Sequence, residues 1–236
     1  MTFSLSPLQH SADLALAYRL RLPLPAQASA CLLLLHGVGG SETNLADLAY
    51  GVDANTLVVF ARGPLTMAAG QFAWFRVSFT AQGPHIDAQE AEHSRQLLLQ
   101  FMEQLQTAYA IPAQRSVIAG FSQGGIMSAS VALSAPERLK GFAILSGRIL
   151  PELEPHLASR DRLAHLHAFI AHGEFDSKLP VSWAERSDEL LNMLGVARQT
   201  RLYPMDHGIS AATQQDFLVW LQGVLPASSA EQPPIA

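Results

Sequence analysis

Residues 116–125 read S-V-I-A-G-F-S-Q-G-G, an apolar run that ends in a serine placed between glycines. Gly120, Ser122 and Gly124 match the pattern Gly-x-Ser-x-Gly, with a strand-like segment before it and a helix-like segment after it. A serine at such a strand-to-helix turn is held in a strained conformation, and side chains two residues away on either side would collide with the turn. The stretch therefore predicts an exposed, reactive Ser122. A serine that merely turns the chain or caps a helix is the alternative.

The rest of the chain alternates short apolar runs with longer amphipathic segments. This alternation is typical of an α/β fold, in which helices pack on both faces of a mostly parallel central sheet. Strands are predicted at residues 15–22, 31–36, 56–61, 116–121, 141–146, 167–172 and 199–203. Helices are predicted at residues 42–50, 89–109, 123–134 and 182–194, and around residues 217–224.

Two segments lack a clear helical or strand period. Residues 62–88 are predicted to be irregular, and a long irregular segment inside a compact domain is usually functional or mobile. Residues 226–236 are small, polar and rich in proline, which predicts a disordered tail. The sequence therefore predicts one domain over residues 1–225, without a large lid domain.

Composition excludes several classes of function. The chain has 236 residues and a net charge of −5, with no run of lysine or arginine that could follow a nucleic-acid backbone. No stretch approaches the roughly 18 apolar residues of a membrane span, and the amino terminus lacks the pattern of a signal peptide. The single cysteine, Cys31, cannot form an internal disulfide. We therefore expect a cytoplasmic protein that binds no nucleic acid and does not insert stably into membranes.

A reactive serine needs a base, and the base needs a carboxylate that orients it. In folds with this serine turn, the three groups follow the chain order serine, acid, histidine. Five of the nine histidines follow Ser122. His207 lies in Y-P-M-D-H-G-I-S, between the last predicted strand and the final helix, where ligands bind in open α/β sheets. His207 is the predicted base.

The acid is predicted in the loop H-G-E-F-D-S-K-L-P, which follows the strand at 167–172. Asp176 is the preferred residue, and Glu174 in the same loop is its main alternative. Asp161 and Asp188 lie in predicted helical surroundings, and Asp206 is too close to His207 in sequence to orient its ring.

Acyl transfer also needs hydrogen-bond donors for the negatively charged oxygen of the tetrahedral intermediate. One expected donor is the backbone N–H of Gln123, the residue after the serine, and the other is Val38 in the loop H-G-V-G-G. This loop does not fit a dinucleotide fingerprint, because Glu42 stands where a small residue is required, and it lacks the lysine of a phosphate-binding loop. No metal-binding motif is present, so we expect neither a cofactor nor a metal.

With these residues in place, the sequence resembles the phospholipase/carboxylesterase family of α/β-hydrolases. The resemblance extends over most of residues 31–222 and rests on L-H-G-V-G-G, G-F-S-Q-G-G, H-G-E-F-D-S-K-L-P, Y-P-M-D-H-G-I-S and the stretch P-L-T-M-A-A-G-Q-F-A-W-F. It implies Asp176 rather than Glu174 as the acid. The sequence departs from the family at Asp206, where glycine is common, and at Gly40, where the thioesterase members usually carry an acidic residue.

The predicted function is that of a serine hydrolase that cleaves carboxylic esters or thioesters with short to medium acyl chains through an acyl-enzyme. The resemblance also includes lysophospholipases and acyl-protein thioesterases. The sequence leaves open a peptidase and a dienelactone-type hydrolase, although the latter would be expected to carry cysteine at position 122. It also leaves open a ligand-binding homologue without catalysis, because a fold alone does not guarantee activity.

The substrate is expected to be a small acyl ester bound in an apolar pocket. The residues predicted to shape this pocket are Met67, Phe72, Trp74, Phe75, Leu179 and Trp183. The sequence is compatible with either a monomer or a homodimer.

Overall fold

The computed structural model describes residues 3–10, 14–80 and 83–227. Its described strands are β1 (Ser4–Leu5), β2 (Tyr18–Leu22), β3 (Ala30–Leu35), β4 (Thr56–Ala61), β5 (Leu65–Ala68), β6 (Gln71–Ala73), β7 (Val77–Thr80), β8 (Gly83–Ile86), β9 (Ser116–Phe121), β10 (Gly141–Leu145), β11 (His167–Gly173) and β12 (Ala197–Tyr203). Eight of them form the main sheet in the order β1-β2-β4-β3-β9-β10-β11-β12. The strands from β4 to β12 in this order are parallel, and β1 and β2 are antiparallel to their neighbours.

The α-helices are α1 (Ala88–Ala108), α2 (Gln123–Ser134), α3 (Arg160–Leu163), α4 (Ser182–Met193) and α5 (Ala211–Val224). Shorter 3-10 turns lie at Ala46–Ala49, Ala113–Arg115, Pro136–Arg138 and Pro151–His156. None of the helices in the described ranges is both long and apolar enough to cross a bilayer.

The sheet separates two hydrophobic cores, because alternate side chains of a strand point to opposite faces. All six residues of β3 are buried; Leu33 and Leu35 join the core beneath α1, α2 and α4, whereas Leu32 and Leu34 join the core beneath α5. A strand buried on both faces must be apolar at every position, which explains the run C-L-L-L-L. Helices thus cover both faces, as predicted.

The topology brings four loops to one edge of the sheet. The loops after β3, β9, β11 and β12 all leave the carboxyl ends of parallel strands. These loops contain the glycine-rich stretch, Ser122, Asp176 and His207 respectively. The fold therefore places the glycine-rich stretch, Ser122, Asp176 and His207 at the same edge.

The predicted helix at 42–50 is wrong. Its residues form turns followed by the 3-10 helix Ala46–Ala49, with i to i−3 hydrogen bonds from Leu48 to Leu45 and from Tyr50 to Asp47. A side chain stabilises the turn that precedes it, because the Asn44 Oδ1 accepts the Ser41 N–H at 2.6 Å.

The prediction of an irregular segment at 62–88 is also wrong. Strands β5 and β6 form one hairpin, with Gly70 at a φ of +74° in its turn, and β7 and β8 form a second. These strands were not predicted because each is only three or four residues long, too short to show a clear period of apolar residues. At the amino terminus, the predicted strand 15–22 begins at Tyr18, and β1 was not predicted. Most of the predicted tail, residues 228–236, lies outside the described residues.

Candidate active site

Ser122 occupies the strained turn that the sequence predicts. It joins β9 directly to α2 with φ 52° and ψ −116°, a backbone conformation that few residues other than glycine adopt. Its N–H donates to the Leu145 carbonyl at 2.8 Å, so the turn is tied to the neighbouring strand β10. Such strain persists only where the surrounding structure enforces it, and it often accompanies function.

The glycines around Ser122 are required by close packing of backbone on backbone. A Cβ built on Gly124 would lie 2.0 Å from the Leu35 carbonyl oxygen, and one built on Gly120 would lie 2.3 Å from the Gly124 carbonyl carbon. These distances are far below van der Waals contact, and the obstructing atoms are main chain that cannot rotate away. The glycines therefore let α2 begin against the end of β3.

We expect Gly124→Ala to destabilise the protein strongly, by on the order of 4 kcal/mol or more, because the new methyl group collides with the backbone of β3. The measurement is the free energy of unfolding in urea. Gly223→Ala is the matched control, because no atom lies within 4 Å of its added Cβ near the end of α5. That control should be neutral or slightly stabilising. Equal stability of the two variants would contradict the packing explanation.

Three side chains form a continuous hydrogen-bonded chain at the sheet edge. The Ser122 Oγ lies 3.0 Å from the His207 Nε2, and the His207 Nδ1 lies 2.7 Å from the Asp176 Oδ2. The Asp176 side chain is fully buried. Since a carboxylate only accepts hydrogen bonds, Nδ1 carries the proton, and Nε2 is left with a lone pair directed at the serine hydroxyl.

The Asp176 carboxylate is held rigidly by its own loop. Its Oδ1 accepts the N–H groups of Lys178 and Leu179 at 2.9 and 2.8 Å. Its Oδ2 also lies 3.3 Å from the Nε2 of His172, a fully buried ring whose Nε2 donates to the Leu179 carbonyl. Glu174, the alternative acid, has an exposed side chain. Asp176 is thus the carboxylate that contacts His207.

Asp206 fastens the acid loop to the histidine loop. Its Oδ1 accepts the N–H of Ser177 at 2.8 Å and the N–H of His207 at 2.7 Å, and its Oδ2 accepts the Ser177 hydroxyl at 3.2 Å. These hydrogen bonds, led by the one from Ser177, lower the pKa of the Asp206 carboxyl. Where the family commonly has glycine, this chain therefore has a side-chain link between the two loops.

The Val38 N–H is oriented by the peptide plane it shares with the Gly37 carbonyl. The Gly63 N–H donates to the His36 Nε2 at 2.9 Å, so the proton of this buried imidazole is on Nδ1, which donates to the Gly37 oxygen at 2.7 Å. The Gly40 N–H donates to the same oxygen at 3.1 Å. In a planar trans peptide, the Val38 N–H must point the opposite way.

The orientation of this peptide directs its N–H away from the hydrogen bonds that hold the loop. Within the described residues, neither the Val38 N–H nor the Gln123 N–H has an intramolecular acceptor. The loop also lies against the serine, because a Cβ built on Gly37 would be 3.3 Å from the Ser122 Cβ. Burial lowers the pKa of His36 and keeps its ring neutral, which preserves this arrangement.

The first hairpin supports the glycine-rich loop from its other side. The Gly39 N–H donates to the Phe72 carbonyl, and the Phe72 N–H donates to the Gly40 carbonyl, both at 2.8 Å. The Trp74 indole N–H also donates to the His36 carbonyl at 2.9 Å, and the Gln123 side chain binds the backbone of Trp74 and Phe75. Residues 72–75 of the stretch 62–88 therefore hold the glycine-rich loop and the Gln123 side chain in position.

A buried carboxylate anchors the same loop to the sheet. The Glu42 side chain accepts hydrogen bonds from Arg62 at 2.7 and 2.8 Å and from the Arg19 Nε at 2.9 Å. Although burial acts to raise the pKa of this carboxyl, the bonds from Arg62 and Arg19 outweigh it and lower the pKa to about 2. The loop is thus fastened to β2 and to the end of β4.

We expect this anchor to stabilise the fold at neutral pH and to fail in acid. Since the folded pKa of Glu42 lies near 2 and its ordinary value is 4.5, its contribution is complete above pH 4.5 and disappears as pH falls toward 2. Glu42→Gln should lower the free energy of unfolding in urea at pH 7, and the loss should shrink at pH 3. Glu103→Gln, which removes an exposed carboxylate 3.2 Å from Arg138, is the control and should change little at either pH. A Glu42→Gln effect independent of pH would contradict this account.

The predicted pocket residues separate into two groups. Trp74 and Phe75 are 0% and 1% exposed and belong to the core, so their predicted role in lining a pocket is corrected. Their hydrogen bonds to the loop and to Gln123 explain why they are buried. Met67 is exposed on the first hairpin, and Phe72, Leu179 and Trp183 are half-buried.

Sequence reasoning missed the roles of several residues at or near the site. His36 was visible only as part of a glycine-rich loop, Glu42 was assigned to a predicted helix, and the buried Arg148 was not singled out. The sequence did contain one signal for these residues, because each lies within a few residues of the end of a strand at the edge where the site forms. Among the described residues, no group of three or more histidine, cysteine or acidic side chains is arranged to hold a metal ion.

The chain is similar in sequence to proteins of a known family. The family model described as phospholipase/carboxylesterase matches residues 25–224. Acyl-protein thioesterase 1 of Eremothecium gossypii is 29% identical over 222 residues, which cover 88% of this chain and 94% of that protein. Acyl-protein thioesterase 1 of Emericella nidulans is 26% identical over 242 residues, covering 88% of this chain and 95% of that protein.

Solved structures show the same architecture. A carboxylesterase from Mesorhizobium loti superimposes with a TM-score of 0.78 at 24% identity, covering 92% of this chain and 100% of that one. The Bacillus cereus carboxylesterase gives a TM-score of 0.72 at 22% identity, covering 94% and 95% of the two chains. The fold is therefore that of the α/β-hydrolases.

Proposed function

The chain belongs to the phospholipase/carboxylesterase family, and from this premise we propose that it hydrolyses esters with Ser122 as its nucleophile. The observation that carries the proposal is the hydrogen-bonded chain from Ser122 through His207 to Asp176 at a strained turn. Strain of this kind costs about 1–3 kcal/mol and persists only where the surrounding structure enforces it, and here it projects the hydroxyl toward the His207 Nε2.

The first half of the reaction forms an acyl-enzyme. Ser122 Oγ attacks the carbonyl carbon of the ester while the His207 Nε2 accepts the hydroxyl proton. Asp176 stabilises the resulting imidazolium through the bond at Nδ1 and keeps the ring in place. The imidazolium then donates its proton to the departing alcohol or thiol. His207 reaches both groups because Nε2 is the ring atom nearest the serine.

The tetrahedral intermediate carries a negative oxygen that requires donors. We assign this role to the backbone N–H groups of Val38 and Gln123, which lack other acceptors within the described residues. The amino terminus of α2 adds its partial positive charge. Removal of one such donor typically costs about 2.7–4 kcal/mol of transition-state stabilisation.

The second half of the reaction releases the acid. A water molecule occupies the place of the departed alcohol, gives its proton to the His207 Nε2 and attacks the acyl carbonyl. The same two donors stabilise the second intermediate, and the proton returns to the Ser122 oxygen as the acid leaves. Every step uses side chains and backbone groups of the chain itself.

Thioesters are the second candidate class of substrate. Two relatives carry the name acyl-protein thioesterase 1, and a thiolate leaves more readily than an alkoxide from the same intermediate. The chemistry at Ser122 is identical for both classes. We propose esters with short to medium acyl chains because, of the six predicted pocket residues, only Met67, Phe72, Leu179 and Trp183 keep exposed side-chain area. We also propose that the protein is cytoplasmic, which suits its single buried thiol, Cys31.

We expect the purified protein to hydrolyse 4-nitrophenyl esters and to react covalently with a fluorophosphonate probe. Across a series from acetate to palmitate, kcat/KM should be highest at or below about eight carbons, because the half-buried apolar surface cannot cover a longer chain. The measurement is nitrophenolate release at fixed ionic strength, with an acetyl or butyryl thioester compared in parallel.

Two results would contradict these proposals separately. Absence of both turnover and probe labelling would overturn the hydrolase assignment. An optimum at palmitate would leave the reaction in place and overturn the proposed preference for short chains.

A further inference from the structure

Arg148 is a buried cation that makes no side-chain hydrogen bond or ion pair to any described residue. Its Nε is buried and unsatisfied, and the whole residue is only 7% exposed. A buried guanidinium without an acceptor is costly, so such a group normally coordinates a carboxylate or a carbonyl. The burial also lowers the pKa of Arg148, with Glu152 as the opposing charge.

The backbone around Arg148 runs beside the serine turn. The Ser122 N–H donates to the carbonyl of Leu145, and a Cβ built on Gly147 would lie 2.9 Å from the Ser122 carbonyl oxygen. The next residue, Ile149, donates its N–H to the Ser187 hydroxyl of α4 at 3.3 Å. Arg148 therefore lies between the serine turn and α4, the helix that follows the acid loop.

The guanidinium is positioned by an aromatic ring of the helix that follows the acid loop. It stacks on Trp183, in the first turn of α4, with its central carbon 4.3 Å from the ring centroid. Arg186 approaches the same ring at 4.9 Å, but its side chain is exposed. A guanidinium over an aromatic face uses its own face for the cation–π contact, so the N–H groups at its edge can still bind an acceptor.

We propose that Arg148, held by Trp183, binds a carboxylate carried by the ester substrate. The inference rests on the proposed hydrolase function and deepens it by naming a substrate class, namely esters with a carboxylate several bonds from the scissile carbonyl. A single guanidinium matches the single charge and planar shape of a carboxylate, and two parallel N–H donors can bind both of its oxygens.

This site modifies the prediction of an apolar pocket. Trp183 and Leu179 provide apolar surface to the chain between the scissile carbonyl and the carboxylate, and the guanidinium ends that surface with a charge. A long apolar chain would have to displace or cover the charge without pairing it, which is unfavourable. The same residues therefore favour a short chain with an anionic end over a long neutral one.

The test is equilibrium binding to the Ser122→Ala protein, which does not consume the ligands. Monomethyl adipate and methyl hexanoate have equal chain lengths and differ by the carboxylate. We expect calorimetric titration to give a Kd at least roughly tenfold lower for monomethyl adipate, the size of one charge-assisted hydrogen bond. Adding Arg148→Met, which removes the guanidinium but keeps an unbranched apolar stem, should abolish this ratio, and Arg148→Lys should retain part of it.

Arg186→Met in the same background is the matched control, because it removes an equal charge from the other contact on Trp183. Its ratio should remain within about twofold of the Ser122→Ala value, since exposed charges contribute little. Equal affinities for the two ligands, or an equal loss of the ratio in the Arg186 and Arg148 variants, would overturn the inference. Turnover of 4-nitrophenyl butyrate by the unaltered protein reports separately on the hydrolase function. A preserved ratio without turnover would keep the carboxylate site and reject the hydrolase function.

Discussion

Ser122→Ala is expected to lower kcat for 4-nitrophenyl butyrate by at least about 10⁴-fold and to abolish fluorophosphonate labelling. Without the hydroxyl, no atom can form the acyl-enzyme, and His207 loses the group whose proton it accepts. Alanine tolerates the φ of 52° as well as serine does, so the loss reflects chemistry rather than folding. The measurements are steady-state hydrolysis and in-gel detection of the probe.

Ser78→Ala is the control for this experiment, because Ser78 is an exposed hydroxyl on the second hairpin. It should retain both signals. Residual labelling of Ser122→Ala at the rate of the unaltered protein would show that another residue reacts, and would refute the assignment of the nucleophile.

Asp176→Asn is expected to lower kcat by about 10⁴-fold while leaving the fold intact. The amide can accept the Lys178 and Leu179 N–H groups only with its oxygen, which places its NH₂ group against the His207 Nδ1. The ring must then turn its Nδ1 lone pair toward the amide and carry its proton on Nε2, where it can no longer accept the serine proton. Measured kcat and the near-ultraviolet circular dichroism spectrum separate the chemical loss from unfolding.

Glu174→Gln provides the comparison, because Glu174 lies two residues away in the same loop with an exposed side chain. Its kcat should remain within about twofold of the unaltered value, as is usual for exposed sites away from the reacting atoms. A larger loss in Glu174→Gln than in Asp176→Asn would mean that the acid has been assigned to the wrong carboxylate.

The sequence predicted the parallel part of the fold well, because buried parallel strands leave an unmistakable signal. A strand such as C-L-L-L-L is apolar at every position, and its carboxyl end marks the edge where a site forms. Chain order then restricted the base and the acid to a few residues. His207 was chosen in this way, and the family resemblance selected Asp176 over Glu174. The structure places His207 within hydrogen-bond distance of both Asp176 and Ser122.

Features that depend on tertiary contacts could not be predicted. Glu42 reads as a polar residue on a helix, although its carboxylate turns inward to Arg62 and Arg19. The two hairpins of residues 65–86 consist of short strands, β5 paired with β6 and β7 paired with β8. Phe72 of the first hairpin also pairs with Gly40. Such short pairings leave no period in the sequence. Trp74 was predicted to line a pocket, but its indole N–H donates a hydrogen bond to the His36 carbonyl.

Asp206 shows that a departure from a family pattern can have a role that sequence does not reveal. A carboxylate next to the catalytic histidine in sequence suggests an electrostatic effect on the ring. Its oxygens also accept the backbone N–H groups of both loops and the Ser177 hydroxyl, so it contributes to the geometry of the loops. This second role follows from the position of the side chain.

The two hydrogen bonds that join Phe72 to Gly39 and Gly40 make the first hairpin and the glycine-rich loop a single mechanical unit. If the hairpin separates from the loop, the constraint on the Gly37–Val38 peptide weakens at the same moment. We expect fewer molecules to be able to stabilise the intermediate as this short backbone pairing opens. Because the Phe72 N–H is one of its two donors, the exchange of that amide hydrogen with solvent measures how often the pairing opens.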